Sequence, residues 1–315
     1  MNEPTGDHRL GVRWGFAGGV ALSTIGEVAA SARDAVDAGF ESFWISQSNA
    51  VDPVVALAAV AADVRPLVEV GTSVVPLYGR HPIGVAQMVR TAQSALEGRL
   101  TLGIGPSHRS PVEETYGLQW DRPLGYTREF LDGLEPLLDG RSANAVGRQL
   151  VARTELNIDA PSTPILLAAL GPRMLALAGE RTAGTTVGQC GPRTIATHIV
   201  PRVREAAANA GREAPRIMAL IRLCVTDDPQ SAYRLARAVG AFYATLPSYA
   251  AVLEKEGLDE PADLHLIGSW EQVLDGLGTY AEAGVTDFRL EIVAPDRKTY
   301  RDTLQAFAGY LNRGT

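Results

Sequence analysis

The segment GIGPSHR, residues 103–109, sets Ser107 and His108 directly behind an apolar run broken by glycines. Imidazole titrates near neutral pH, so His108 is the best single candidate for a proton donor. The plainer alternative is a hydrogen-bonded structural histidine. A second segment, LLAALGPRMLALAGE, runs from Leu166 into Gly171, Pro172 and Arg173. Pro at a first helical position beside free backbone N–H groups makes a start that attracts phosphate. An ordinary strand-to-helix turn would read the same. A third segment, VGTSVVPLYGRHP (70–82), clusters Gly71, Thr72 and Ser73 ahead of Val74, where a purely structural strand would not need them. His81 reads as a brace for the helix that opens at Pro82.

These segments need a scaffold, and the chain supplies one by alternating apolar strand-like runs with helical stretches. RLGVRWGFAGG, ESFWIS, LVEVGTSVVP, GRLTLGIG, TPILLAAL, GTTVGQ, RIMALIRLCVT and VTDFRLEIVAP are the eight strand candidates, each followed by a helix. Their runs are continuously apolar, as in parallel strands buried on both faces. The expectation is a closed (β/α)8 TIM barrel, an α/β fold, as a single domain over 1–315. Extra chain enters after strand 4, at about 106–163, and after strand 7. A doubly wound open sheet would usually carry G-x-G-x-x-G after a strand, and that pattern is absent.

Barrels of this kind bind ligands where their strands end. Trp14, Phe16 and Gly18–Gly19 close the first strand, and Ser46, Gln47 and Ser48 the second. Thr72, Ser73 and Val74 follow the third; Gly103, Gly105, Ser107, His108 and Arg109 the fourth. Ala168, Ala169 and Gly171 end the fifth; Gly188, Gln189 and Cys190 the sixth. Arg222 and Glu291 come from the last two, and Arg222 on an apolar strand needs Glu291 or a ligand anion as partner. No His-x-His or other metal-ligand spacing appears, and no pair of carboxylates suits glycoside chemistry. Small rim residues suit a flat ligand lying against backbone, with the reactive atoms carried by a cofactor. Tyr116, Trp120, Tyr243 and Tyr249 read either as an aromatic substrate wall or as helix packing.

The net charge of −7 disfavours nucleic acid. No apolar run is long enough to span a membrane, and the first residues lack the pattern of a signal peptide, so a cytoplasmic protein is expected. Two cysteines, Cys190 and Cys224, lie far apart and outside any CxxC spacing, as buried reduced thiols do.

VGTSVVPLYGRHPIGVAQ, EGRLTLGIGPSHR, RPLGYTREFLDGLEPLLDG and PILLAALGPRMLALAGERTAG together resemble the luciferase-like monooxygenase family, more closely its branch using the deazaflavin coenzyme F420. The similarity covers nearly the whole length. It implies a barrel, often homodimeric, with the cofactor at the C-terminal rim. It also implies a non-proline cis peptide between Ser73 and Val74, against one face of the ring. Carried over by resemblance, the cofactor contacts are Gln47, Ser73, Val74, Gly105, Ser107, Ala168, Ala169, Gly171, Pro172, Arg173, Gly188, Gln189 and Cys190. The F420-dependent sugar-phosphate dehydrogenases carry an Asp-His pair where this chain has Gln47 and Ser48. His108 stands in place of their acidic residue, and Gly191 in place of their phosphate-binding lysine. A reductase therefore fits better: hydride from the reduced cofactor, a proton from His108, and a C=C, C=N or C=O bond in a small-molecule substrate. The alternatives are an FMN-dependent monooxygenase, a non-redox isomerase or lyase, and a non-catalytic cofactor-binding protein.

Overall fold

The computed structural model describes residues 9–19 and 21–312. Eight strands form the barrel: β1 (Arg13–Ala17), β2 (Ser42–Ile45), β3 (Glu69–Thr72), β4 (Leu100–Gly105), β5 (Ile165–Ala168), β6 (Gly184–Gly188), β7 (Arg216–Val225) and β8 (Asp287–Ile292). Each pairs in parallel with the next, and β8 pairs with β1 to close the ring. The fold is therefore a (β/α)8 TIM barrel.

Ten helices of seven residues or more accompany the strands among the described residues: α1 (Ile25–Asp37), α2 (Pro53–Ala59), α3 (Pro82–Ala95), α4 (Pro123–Leu138), α5 (Pro172–Arg181), α6 (Val200–Asn209), α7 (Pro229–Ala244), α8 (Pro247–Glu256), α9 (Trp270–Glu282) and α10 (Arg297–Leu311). Their starts are written locally. Thr24 and Glu27 form a capping box for α1, Asp52 accepts from Val54 N and Val55 N at α2, and His81 Nδ1 accepts from Ile83 N at α3. The bracing role read for His81 is thus its actual one.

Alternation decides what fills the ring. Residues at every second position of each strand point inward. At the N-terminal end Arg216 donates to both oxygens of Glu69 (2.7 and 2.8 Å) and to Asp287 (2.7 Å), forming an ionic floor. Above it lies Trp44, 1% exposed and packed with Leu166 and Met218. Gly15 and Gly71 make room for this indole, since a Cβ at Gly71 would lie 2.2 Å from its Cζ3. Trp44 is therefore core. Trp14 is core as well, but outside the ring, against Phe288, Phe307 and Tyr310.

Three details refine the expected elements. The third strand breaks after Thr72, and Val75–Pro76 rejoins the sheet beside Ile104 and Gly105. Residues 106–163 contain the fourth unit's own helix, α4, together with a hairpin of Ala143–Val146 and Val151–Thr154. The stretch after α8 holds a short strand, Leu266–Gly268, that pairs with the end of β7. Helices α7 and α8 precede it and lean over the strand ends.

Candidate functional site

The strand ends open into two adjoining cavities of about 580 and 660 Å³. Val74, Ser107, His108, Ala168, Gly188 and Tyr249 line both. Gln47, Ser73 and Gln189 face the first cavity; Gly105, Ala169 and Gly171 face the second. Small walls keep the space open: a Cβ on Gly105 would come 2.9 Å from Ala168 Cβ and 3.3 Å from Val74 Cγ2.

The Ser73–Val74 peptide is cis. Its surroundings are polar and specific. The Ser73 carbonyl accepts from Ser46 Oγ (2.6 Å) and Arg289 Nη1 (2.5 Å), and the Ser73 and Thr186 hydroxyls bond at 2.9 Å. Thr72 Oγ1 bonds both the carbonyl and the N–H of Gly103 across the strand break (2.8 and 3.0 Å). A Cβ on Gly103 would sit 2.0 Å from the Thr72 carbonyl oxygen, so β3 and β4 approach this closely only because that residue is glycine.

Gln47 is held from behind. Its Oε1 accepts from Arg80 Nη2 at 2.7 Å, and the same Nη2 pairs with Asp52 at 2.6 Å. Ser107 (φ 72°) and Gln189 (φ 54°) both occupy the left-handed region at strand exits. For non-glycine residues that conformation is uncommon and concentrates at ligand sites. The Gln189 Nε2 and Arg289 Nε atoms are buried without a hydrogen-bond partner, both on cavity-lining side chains.

Burial depresses the pKa of His108, which lies beside Tyr249 and Phe242 with ring centroids 5.7 and 6.3 Å away. Burial also raises the Tyr249 hydroxyl. Tyr116 and Tyr243 line the first cavity and Trp120 the second, where it stacks on Tyr78 at 5.0 Å. All four aromatic candidates therefore border the cleft. Arg222 Nε pairs with Glu291 Oε2 at 2.7 Å, the carboxylate partner that its strand position requires.

Three of the expected contacts, Pro172, Arg173 and Cys190, line neither cavity. Arg173 is exposed and lines neither cavity, because the buried side of α5 is set by Leu175, Leu177 and Ala178. Pro172 borders a separate outer depression with Arg202 and Glu205. The Cys190 thiol is buried, bonds back to the Gly188 carbonyl (3.5 Å) and has its pKa raised by desolvation. Arg289 and Thr186 are site residues the motifs did not single out. Arg289 leaves a trace in the sequence: DFRLEI carries charge at every second position, Asp287, Arg289 and Glu291, and all three point into the barrel.

Among the described residues no group of three or more His, Cys, Asp or Glu could hold a metal, and no helix is long and apolar enough to cross a membrane.

A family model described as luciferase-like monooxygenase matches residues 11–287. A 5,10-methylenetetrahydromethanopterin reductase of Methanolobus tindarius is 26% identical over 246 residues, covering 77% of this chain and 74% of that protein. Among solved structures, the coenzyme F420-dependent tetrahydromethanopterin reductase of Methanopyrus kandleri shares the fold with a TM-score of 0.79 at 22% identity, covering 94% of this chain and 96% of its own. The FMN-bound oxygenating constituent of 3,6-diketocamphane monooxygenase from Pseudomonas putida, a type II Baeyer–Villiger monooxygenase, does so at 0.75 and 19%, covering 94% and 97%. An F420-dependent reductase and an FMN-bound monooxygenase thus both stand among its structural neighbours, and the chain belongs to the luciferase-like monooxygenase family.

Proposed function

We propose that the protein is an F420-dependent oxidoreductase working as a reductase on a C=C, C=N or C=O bond of a small organic substrate. One observation carries this reading. Two buried side-chain donors without partners, Gln189 Nε2 and Arg289 Nε, belong to a small-walled cleft at the C-terminal mouth of the barrel. A buried donor without an acceptor is costly, and the carbonyls and ring nitrogens of a flat deazaflavin are acceptors of the right kind. The residues present therefore fit such a group.

Gln47, Ser73, Val74 and Gln189 would hold the ring, with Gly105, Ser107, Ala168 and Gly188 as flat walls. Ala169 and the start of α5 at Gly171 would receive the phosphate-bearing tail through backbone N–H groups. The reduced deazaflavin supplies a hydride when bound. The protein's share is orientation and a proton. His108 lies on the wall common to both cavities, where a ring nitrogen can deliver that proton to the substrate. Phe242, Tyr243 and Tyr249, from the α7–α8 region, give the first cavity an aromatic wall. The proposed assembly, supported by the family resemblance, is a homodimer.

The test is a side-by-side titration of the purified protein with F420 and FMN, followed by fluorescence. Saturable F420 binding at micromolar concentrations supports the proposal. No change in F420 emission would count against it. Preferential FMN binding, with oxygen consumed when reduced FMN is supplied, would favour a monooxygenase instead.

A further inference from the structure

The floor of the first cavity holds an unbalanced charge. Arg222, Arg289 and Glu291 all line it, and each is at most 9% exposed. Among the described residues lining this cavity, Glu291 is the only carboxylate. It is committed to Arg222 through Nε at 2.7 Å. The Arg222 guanidinium itself lines the cavity, with Cζ 5.2 Å from the centre of the Tyr243 ring.

Arg289 spends Nη1 on neutral oxygens, the Ser73 carbonyl and Ser46 Oγ (3.3 Å), and its Nε has no partner. Two buried guanidinium groups therefore share one carboxylate. A buried cation without a counter-charge is expensive, and the expense falls when an anion enters. The neighbouring His265 responds to the same excess: burial and then the Arg222 charge push its pKa down to about 4.

We infer that this floor is a subsite for a carboxylate carried by the substrate, with Arg222 as its contact and Arg289 as the unbalanced charge behind it. The inference rests on the proposed reductase function insofar as the anion belongs to a substrate. A planar anion beside Tyr243 and Arg222 matches the stacking and forked hydrogen bonding that guanidinium groups favour. The enzyme would then prefer unsaturated or carbonyl-bearing acids over their esters and amides.

Calorimetric titration with benzoate and benzamide, nearly equal in shape, reads the charge alone. Wild-type protein should bind benzoate at least tenfold more tightly than benzamide. Arg222→Gln should weaken benzoate by roughly 10- to 100-fold, the loss of a charged hydrogen bond. Should that variant fail to fold, Arg222→Gln/Glu291→Gln removes both charges together and should show the same loss. Glu291→Gln should act oppositely and tighten benzoate. Equal affinity for the two probes, no benzoate binding, or full benzoate affinity without Arg222 would overturn the inference.

The reduced cofactor is the other possible source of the anion. If Arg222→Gln weakens binding of reduced F420 selectively while benzoate affinity is kept, the subsite belongs to the ring and the substrate assignment falls. Benzoate discrimination in a protein that binds no F420 would keep the subsite and sink the reductase proposal.

Discussion

The indole of Trp44 occupies the space that a side chain at Gly71 would need: a Cβ there would lie 2.2 Å from Cζ3 and 2.8 Å from the Thr101 carbonyl. Neither neighbour is a flexible tip that can swing aside. Gly71→Ala should therefore cost roughly 1–3 kcal/mol of stability through overpacking. Thermal and denaturant unfolding check this, and an unchanged midpoint would mean that the indole has somewhere else to go.

Below Trp44, Arg216 is the cation that lets Glu69 and Asp287 face each other inside the ring. Those two carboxylates raise the Arg216 pKa against the opposing effect of burial. Arg216→Met removes the charge and leaves both carboxylates facing each other beside Arg13 alone. The expected loss is about 3–5 kcal/mol, typical of breaking one side of a buried pair. Chemical denaturation of variant and wild type measures it.

Much of this framework is legible in the sequence, because each strand's apolar run records burial on both faces. Leu102 and Ile104 look outward to helices while Gly103 looks inward, and the pattern alone says both faces are covered. The site is less legible. Arg289 acts on the Ser73 carbonyl, 216 residues away, and nothing local to DFRLEI names that partner. Arg173 presents the opposite case. Its position after Gly171 and Pro172 is suggestive, but the helical phase of α5 is set by the buried Leu175, Leu177 and Ala178, and Arg173 is left exposed. Tyr243 and Tyr249 could be assigned to the cleft only once α7 and α8 had been placed over the strand ends.

Arg80 touches the cleft only through Gln47. Removing it frees the Gln47 amide to rotate, while Asp52 still caps α2 through Val54 N and Val55 N. Arg80→Ala should therefore weaken cofactor binding by about tenfold, the scale of one charged hydrogen bond, with little change in melting temperature. Titration and thermal unfolding on the same samples separate the two effects.

Three histidines, His108, His198 and His265, have depressed pKa values, each chiefly through burial. The unfolded chain therefore binds protons first as the pH drops below about 6.5, and the folded state loses stability on the acid side. His265, at about 4, contributes most, on the order of 3 kcal/mol between those limits. His265→Gln should flatten the acid limb of a stability profile. An identical slope in the variant would contradict this source.

The donor role proposed for His108 carries a pH dependence. A donor with a depressed pKa is charged only at low pH, so turnover should fall as pH rises through a midpoint below 6.5. His108→Gln should lower turnover by roughly 10²-fold and remove that dependence. An unchanged rate and profile would show that the proton comes from elsewhere.

The most direct measurement mixes the purified protein with reduced F420 and the enone acid trans-4-oxo-2-pentenoate, following the return of the oxidised coenzyme's absorbance. Catalysed, enzyme-dependent oxidation of the coenzyme with matching loss of the enone is the predicted result. Coenzyme that binds but stays reduced, with this acceptor and with a panel of other enones and imines, would contradict the assignment as a reductase.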